Sequence, residues 1–414
     1  MQRSFVSLTL LGLLSTAAWA QPGGDQPPVA PPPEPPPPVV VTTPPPPPEP
    51  PKDEKKPEPP KAEDKDKEKE KKPEATKINI GKEGQGRWQP GALAQGWFLL
   101  DRSGGKTTTS TFRLRRMELS AKGEILPKRV GFNLMFDPAK VREPVNTVVT
   151  DSGGDTVTVK TPAASLSTVQ DFYITGYHKY VEASIGQFKI PVSWEGYNSS
   201  AKIIMPERAF ISNTYGDKRD LGIRLTKTFK KWMYSAGVFN GQGANNLDTN
   251  VQKDIALRLE AYPVEGLVIG GVAYDSVGIR NRAGTKDRWE LDLRYEKSGF
   301  LFQSEYIRAR DKAKDNVDFV TAQGFYAAVA YTIKDKSLCG DLQPVVRVGF
   351  MDPDTKQNLD PTMSGGSDEL WHYDIGVNYY LKGHEMKLQG GFQRQQFDDK
   401  TAVNEAILAA QVWY

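Results

Sequence analysis

Hydrophobic residues recur at every second position over most of this chain. Trp289, Leu291, Leu293 and Tyr295 alternate with Arg288, Glu290, Asp292, Arg294 and Glu296. Trp371, Tyr373, Ile375, Val377, Tyr379 and Leu381 alternate with His372, Asp374, Gly376, Asn378 and Tyr380, and Phe325, Ala327, Val329, Tyr331 and Ile333 form a third stripe. Successive side chains of a strand point to opposite faces, so each stretch predicts a strand with one apolar and one polar face. From Gly91 to the last residue the pattern predicts sixteen strands: 92–101, 111–124, 129–137, 168–177, 180–191, 218–228, 232–240, 252–263, 266–277, 286–297, 300–311, 321–333, 343–353, 369–382, 384–397 and 403–414. Strands 92–101 and 266–277 alternate poorly, which leaves their facing open.

The connections alternate too. Residues 126–128, 229–231, 264–265, 298–299 and 383 are tight, whereas 138–167, 192–217, 241–251, 278–285, 312–320 and 354–368 are longer. An even strand number, aromatics near strand ends, and short turns alternating with long loops are the habits of an outer-membrane barrel. The expected fold is therefore all-β: an antiparallel transmembrane β-barrel over residues 85–414, with lipid outside and water inside. Both termini then lie in the periplasm. A soluble sandwich also alternates, but it rarely runs to sixteen strands and needs no aromatic last residue. Here Leu408, Ala410, Val412 and Tyr414 share one face, and Tyr414 resembles the terminal signal read by barrel-assembly machinery.

One strand breaks phase. In Thr111 to Glu124, Phe112 and Leu114 are apolar at even positions, but Met117, Leu119 and Ala121 are apolar at odd ones. A one-residue slip predicts a β-bulge at Arg115-Arg116. With it, Arg113, Arg115 and Arg116 all face the lumen, above Glu118, Ser120 and Lys122. A soluble strand with arginines on its wet face is the alternative. In the barrel, the three guanidinium groups would make a fixed anion-binding surface.

The chain begins with Arg3, an apolar run from Phe5 to Leu14 and an Ala18-Trp19-Ala20 cleavage site, which predicts a signal peptide over 1–20. No Cys follows the cleavage site, which excludes a lipoprotein, and no later stretch is long and apolar enough for a membrane helix. Residues 21–84 read as a disordered periplasmic linker. Its first part is dominated by Pro and favours extended polyproline II; Lys52 to Lys77 mixes ten Lys with nine Asp or Glu. It either reaches towards peptidoglycan or another partner, or acts as a passive spacer. Cys339 has no second cysteine to pair with.

Charge and chemistry narrow the function. Over 78–414 there are 43 basic and 39 acidic residues, so any ion preference is local. His178, His372 and His384 are scattered over three strands, no metal-ligand spacing or phosphate loop occurs, and the Gly-rich DSGGD and SGGSD stretches read as loops. These features give no sign of an enzyme or a cofactor. Export argues against a nucleic-acid partner.

FRLRRMELSAKGEI and, later, IGQFKIPVSWEGYNSSAKIIMPERAF resemble the phosphate-selective porin O and P family over about 85–414. The resemblance implies a homotrimer of sixteen-stranded barrels whose third outer loop folds inward, here 192–217. It maps the paired arginines of the second strand onto Arg115 and Arg116, and the Lys of the GQFK motif onto Lys189. Arg280 and Arg282 correspond loosely to arginines of the fifth outer loop. Lys189 has apolar neighbours, Phe188 and Ile190, which would place it on the lumen side. Lys202 and Arg208 follow close by in sequence, with Glu195 and Glu207 moderating the field. The expected function is passive diffusion of small anions, phosphate or polyphosphate, across the outer membrane of a Gram-negative bacterium. A non-selective diffusion porin, and a structural anchor tethered to the cell wall by the linker, are the alternatives.

Overall fold

The computed structural model describes residues 78–79, 86–142, 144–150, 156–162, 168–277, 284–312, 319–335, 337–355, 369–397 and 401–414. The expected signal peptide, nearly all of the expected linker, and Arg280 and Arg282 lie outside the described residues. Sixteen long strands form one antiparallel barrel: β1 (Arg87–Ser103), β2 (Lys106–Leu126), β3 (Val130–Phe136), β4 (Val169–Tyr177), β5 (Glu182–Lys189), β6 (Arg219–Thr228), β7 (Trp232–Phe239), β8 (Lys253–Ala261), β9 (Leu267–Val277), β10 (Lys286–Lys297), β11 (Phe300–Asp311), β12 (Val320–Tyr331), β13 (Asp341–Asp352), β14 (Leu370–Lys382), β15 (Met386–Phe397) and β16 (Val403–Trp413). Each pairs with its chain neighbours. β16 then returns to β1, from Leu93 opposite Trp413 to Ser103 opposite Val403. Closure leaves every strand flanked on both sides, the condition for crossing hydrocarbon with strands.

Burial is inverted relative to a water-soluble protein. Leu408 (65%), Leu291 (68%), Trp289 (62%) and Ile375 (60%) are exposed on the outer face, while Arg258, Glu305, His372 and Lys387 are buried inside. Apolar side chains outside and charged ones inside suit a wall between lipid and water. The two strands of open facing resolve: Leu93, Gln95, Trp97 and Leu99 of β1 turn inward, as do Val272, Tyr274 and Ser276 of β9.

The ends of β1 and β2 reach further than their alternation predicts. A two-residue turn, Gly104-Gly105, joins them, with both glycines at positive φ (57° and 78°). That conformation suits a tight hairpin and is open to glycine without strain. The bulge in β2 sits where the phase slip predicts: Gln95 faces Arg116 and Gly96 faces Leu114, so Arg115 is the extra residue. Arg113 and Arg116 consequently share the inward face of Trp97 and Gln95. Three smaller pairings complete the backbone. Ile78–Asn79, inside the stretch that composition gives to the linker, pairs with Arg87 and Trp88. Pro144–Thr150 and Thr156–Pro162 form a separate hairpin within the β3–β4 loop, and Ile333–Lys334 pairs with Asp341 and Leu342.

Residues 190–218, between β5 and β6, pack against the inner faces of other strands. Ile204, Met205, Ala209 and Ile211 form an apolar core with Ile307 of β11, Tyr326, Ala328 and Ala330 of β12, and Val345 and Met351 of β13. Two short helices, α1 (Trp194–Tyr197) and α2 (Phe210–Tyr215), lie within the segment.

Candidate functional site

The 190–218 segment is held by polar groups that would otherwise be orphaned inside the wall. Ser193, in the left-handed region at φ 61°, caps α1 by accepting from Gly196 N at 2.9 Å. The N–H groups of Ser193 and Trp194 donate to Glu290 at 2.7 and 2.8 Å. Ser193 Oγ and Glu195 N donate to Glu305 at 2.7 and 2.5 Å. Behind Glu290 stands Arg258, ion-paired with Glu290 and with Asp292 at 2.6 Å. Further along, Lys387 donates to Ile203 O, Asn378 to Ile204 O, Gln411 to Ala201 O and Gln95 to Ser200 O. The segment's carbonyls are thus satisfied by side chains of β1, β14, β15 and β16. Glu195 is enclosed: burial raises its carboxyl above the ordinary value, against the pull of Arg347 and a hydrogen bond from Ala209 N.

Two carboxylates of the segment gather the cations. Glu207 accepts from Arg115 Nε at 2.8 Å and Arg116 Nη2 at 3.0 Å. Arg116 also donates to Gln95 Oε1 at 2.7 Å, which fixes the plane of its guanidinium. Burial works to raise the Glu207 carboxyl, but Arg116, Arg115 and Arg208 hold it down at about 2. Asp217, at φ 51°, pairs with Lys189 at 2.7 Å, Arg208 at 3.1 Å and Arg219 at 3.4 Å. Burial is again overcome, and these three cations keep Asp217 well below the usual carboxylate range. Arg219 also pairs with Asp171 at 2.8 Å. Within these contacts, five cations face three carboxylates, which leaves a local excess of positive charge.

The expected site residues therefore take different places. Arg115, Arg116 and Lys189 meet the segment, each through a carboxylate. Arg113 lies over the Trp97 ring, its guanidinium carbon 4.7 Å from the centroid. Arg208, expected on the pore wall, is instead enclosed (side chain 0% exposed) and ties Glu195 O, Asn198 O and Asp217 together. Lys202 is exposed at the end of a short 3₁₀ turn, near His384. The neighbours of Lys189 do not sit where their apolar character predicts. Phe188 and Ile190 do not face lipid but lie in an inner apolar cluster with Val192, Phe239, Ala256, Val272 and Tyr274. Lys189 reaches the segment because β5 ends there, and its ammonium also donates to Gly196 O and Asn198 O.

Sequence reasoning missed Asp217, Arg219 and Asp171. The run Asp217-Lys218-Arg219-Asp220 at a loop-to-strand junction was the available signal. Asp217 and Arg219 also line a lumenal cavity of about 490 Å³ with Lys140, Lys286 and Arg288, so part of this charge meets solvent.

Comparison with known proteins extends the picture. The family model described as phosphate-selective porin O and P matches residues 99–280 and 278–406. No curated protein matches the sequence. Among solved structures, the chain is similar to Salmonella typhi OmpF in complex with daunomycin (10% identity, 82% of this chain and 100% of that one, TM-score 0.58). It is similar also to an anion-selective porin from Comamonas acidovorans (10% identity, 80% and 100%, TM-score 0.53) and to Pseudomonas putida OprB (12% identity, 79% and 94%, TM-score 0.53). At these identities the likeness is one of fold.

Proposed function

Because this chain belongs to the phosphate-selective porin O and P family and is an outer-membrane channel, we propose that its pore passes small anions in preference to cations, with phosphate or polyphosphate as substrate. The observation that carries this reading is the excess of cations over carboxylates where β2, β5 and β6 meet the 190–218 segment. An anion leaving water needs donors in place of its hydration shell, and a guanidinium offers several in a plane while staying charged. Rings of Arg or Lys are a usual basis of anion selectivity. Arg115 and Lys189, with side chains 17% and 12% exposed, are the members that a passing ion can reach. A net attraction of about 1–3 kcal/mol, typical of a hydrogen bond to a charged group, allows both binding and quick release.

The same reading gives the setting. The chain assembles as a homotrimer, as the Vibrio cholerae OmpT described in a trimer form does. Tyr414 is read by barrel-assembly machinery, and residues 21–84 extend into the periplasm, within reach of peptidoglycan. A second reading, a weakly selective diffusion porin, is favoured by the carboxylates that already pair with Arg115, Arg116 and Lys189. Reversal potentials in a KCl gradient across planar bilayers separate the two. The anion channel gives a clear chloride preference that the Arg115→Ala, Arg116→Ala double variant reduces, together with weaker block by phosphate. Near-zero selectivity in the wild type, or a double variant with unaltered reversal potential and block, refutes the assignment.

A further inference from the structure

We propose that the lumen wall of β2–β6, near the ends joined by the short turns, is a subsite for organic phosphates, in which a phosphoryl group is carried on a polyhydroxyl ring. This deepens the channel reading and rests on its open lumen, which the ligand must enter. The wall encloses a cavity of about 390 Å³, separate from the one beside Asp217. Small-molecule pockets run from roughly 300 to 1,000 Å³.

Strand register sets two adjacent rows of side chains across this wall. In one, Lys122 stands opposite Asn133, and Asn133 opposite Tyr173. In the next, Thr175 stands opposite Ser184, and Ser184 opposite Arg224. All six line the cavity. The rows thus place a cation at each side and neutral amide and hydroxyl groups between them. Lys122 and Arg224 sit on strands four apart, about 19 Å at the usual strand spacing, less the reach of two long side chains that converge on a concave wall.

These cations differ from those around Glu207 and Asp217. Among the described residues neither forms a carboxylate ion pair. Arg224 is 8% exposed, its guanidinium carbon lies 4.4 Å from the centre of the Phe188 ring, and its Nη1 donates to the Tyr197 hydroxyl at 2.9 Å. Its Nε is buried with no hydrogen-bond partner among the described residues. A buried guanidinium without a counter-ion is costly, and an arriving anion would relieve that cost. The carboxylates at the rim are already engaged, Glu124 with Arg87 at 3.4 Å and Glu182 with Lys227 at 3.0 Å.

The neutral groups favour an organic phosphate over the bare ion. Thr175 Oγ1 and Ser184 Oγ lie 2.8 Å apart and share one hydrogen, which leaves further donor and acceptor capacity. Asn133 adds an amide. The Tyr173 ring, held edge-on to Phe188 at 5.6 Å, offers a flat wall beside them. Inorganic phosphate would use the cations and leave this row idle; a neutral sugar would do the reverse.

The experiment compares glucose 6-phosphate, inorganic phosphate and glucose as blockers of KCl current through the purified full-length protein in planar bilayers. Glucose 6-phosphate should half-block at a concentration at least tenfold below either of the others. Lys122→Gln, at an exposed side chain whose loss leaves packing intact, and Arg224→Lys, which keeps the charge but loses the fork, should each raise that concentration threefold or more. Equal potency of glucose 6-phosphate and phosphate overturns the proposal, as does a glucose 6-phosphate block that both variants leave within twofold of wild type. A wild-type channel without chloride preference overturns the anion-channel reading alone, and selective block by glucose 6-phosphate in that same channel upholds the subsite.

Discussion

Replacing Glu207 with Gln should make the channel more anion-selective. The carboxylate closes on Arg115 at 2.8 Å and Arg116 at 3.0 Å and masks both. Its carboxyl is held at about 2. Against a free glutamate near 4.3, that is worth about 3 kcal/mol of preference for the ionised form. The sign follows from the depressed value: the stabilisation is complete above about pH 4.3 and fades as pH falls towards about 2. Acidification from pH 7 to 5 therefore leaves the mask in place, and only substitution removes it. Gln keeps the shape and one carbonyl acceptor but no charge. An anion passing about 7 Å away, at an effective dielectric of about 40, gains roughly 1 kcal/mol when that negative charge is lost. The expected result is a several-fold rise in the chloride-to-potassium permeability ratio at pH 7, with tighter phosphate block. Single-channel conductance near the wild-type level would show that the 190–218 segment is still seated. A seated variant whose ratio is unchanged or lower would refute the reasoning, because Arg115 and Arg116 would then not face the ion path.

Tyr414→Asp should lower the amount of heat-modifiable barrel in the outer membrane, because the exposed terminal aromatic continues the outer stripe of β16; normal levels would remove the assembly role. Glu305→Ala strips the acceptor from Ser193 Oγ and Glu195 N, at about 1–3 kcal/mol for each buried donor left unpaired, so open-channel current should become noisier. His384 sits at a turn, where burial, then Lys387 and Lys202, lower its pKa to about 4. The folded state thus prefers the neutral ring, and stability that is complete above about pH 6.5 declines as pH falls towards about 4; His384→Gln should flatten that slope in a thermal melt. Protease added to whole cells should cut in loops such as 138–167 and leave 21–77 intact, and cleavage of the latter would reverse the proposed orientation.

Local pattern carried the wall of this protein. The side-chain period of a strand is two, so alternation alone locates β10 at 286–297 and β11 at 300–311 as observed, and a one-residue slip reveals the bulge at Arg115. The outer stripe is legible for the same reason: lipid contact is a property of single positions, and Leu291 or Leu408 needs no partner to be read as apolar. A clue to the interior lay unused in the sequence. Between Phe325 and Ala330 both faces of β12 are apolar, because the inner one receives Ile204, Met205 and Ile211.

The pairing of charges inside was decided by tertiary structure. Whether Arg116 is free or bound depends on Glu207, 91 residues away, and Arg258 meets Glu290 across 32 residues. An ion pair of this kind has no period and no fixed spacing. The first forms because the 190–218 segment carries Glu207 back to β2, and the second because the barrel wall sets β8 and β10 on either side of β9. Sequence could therefore name Arg115, Arg116 and Lys189, but only the folded chain sets Glu207 and Asp217 against them and leaves Arg224 without a carboxylate partner among the described residues.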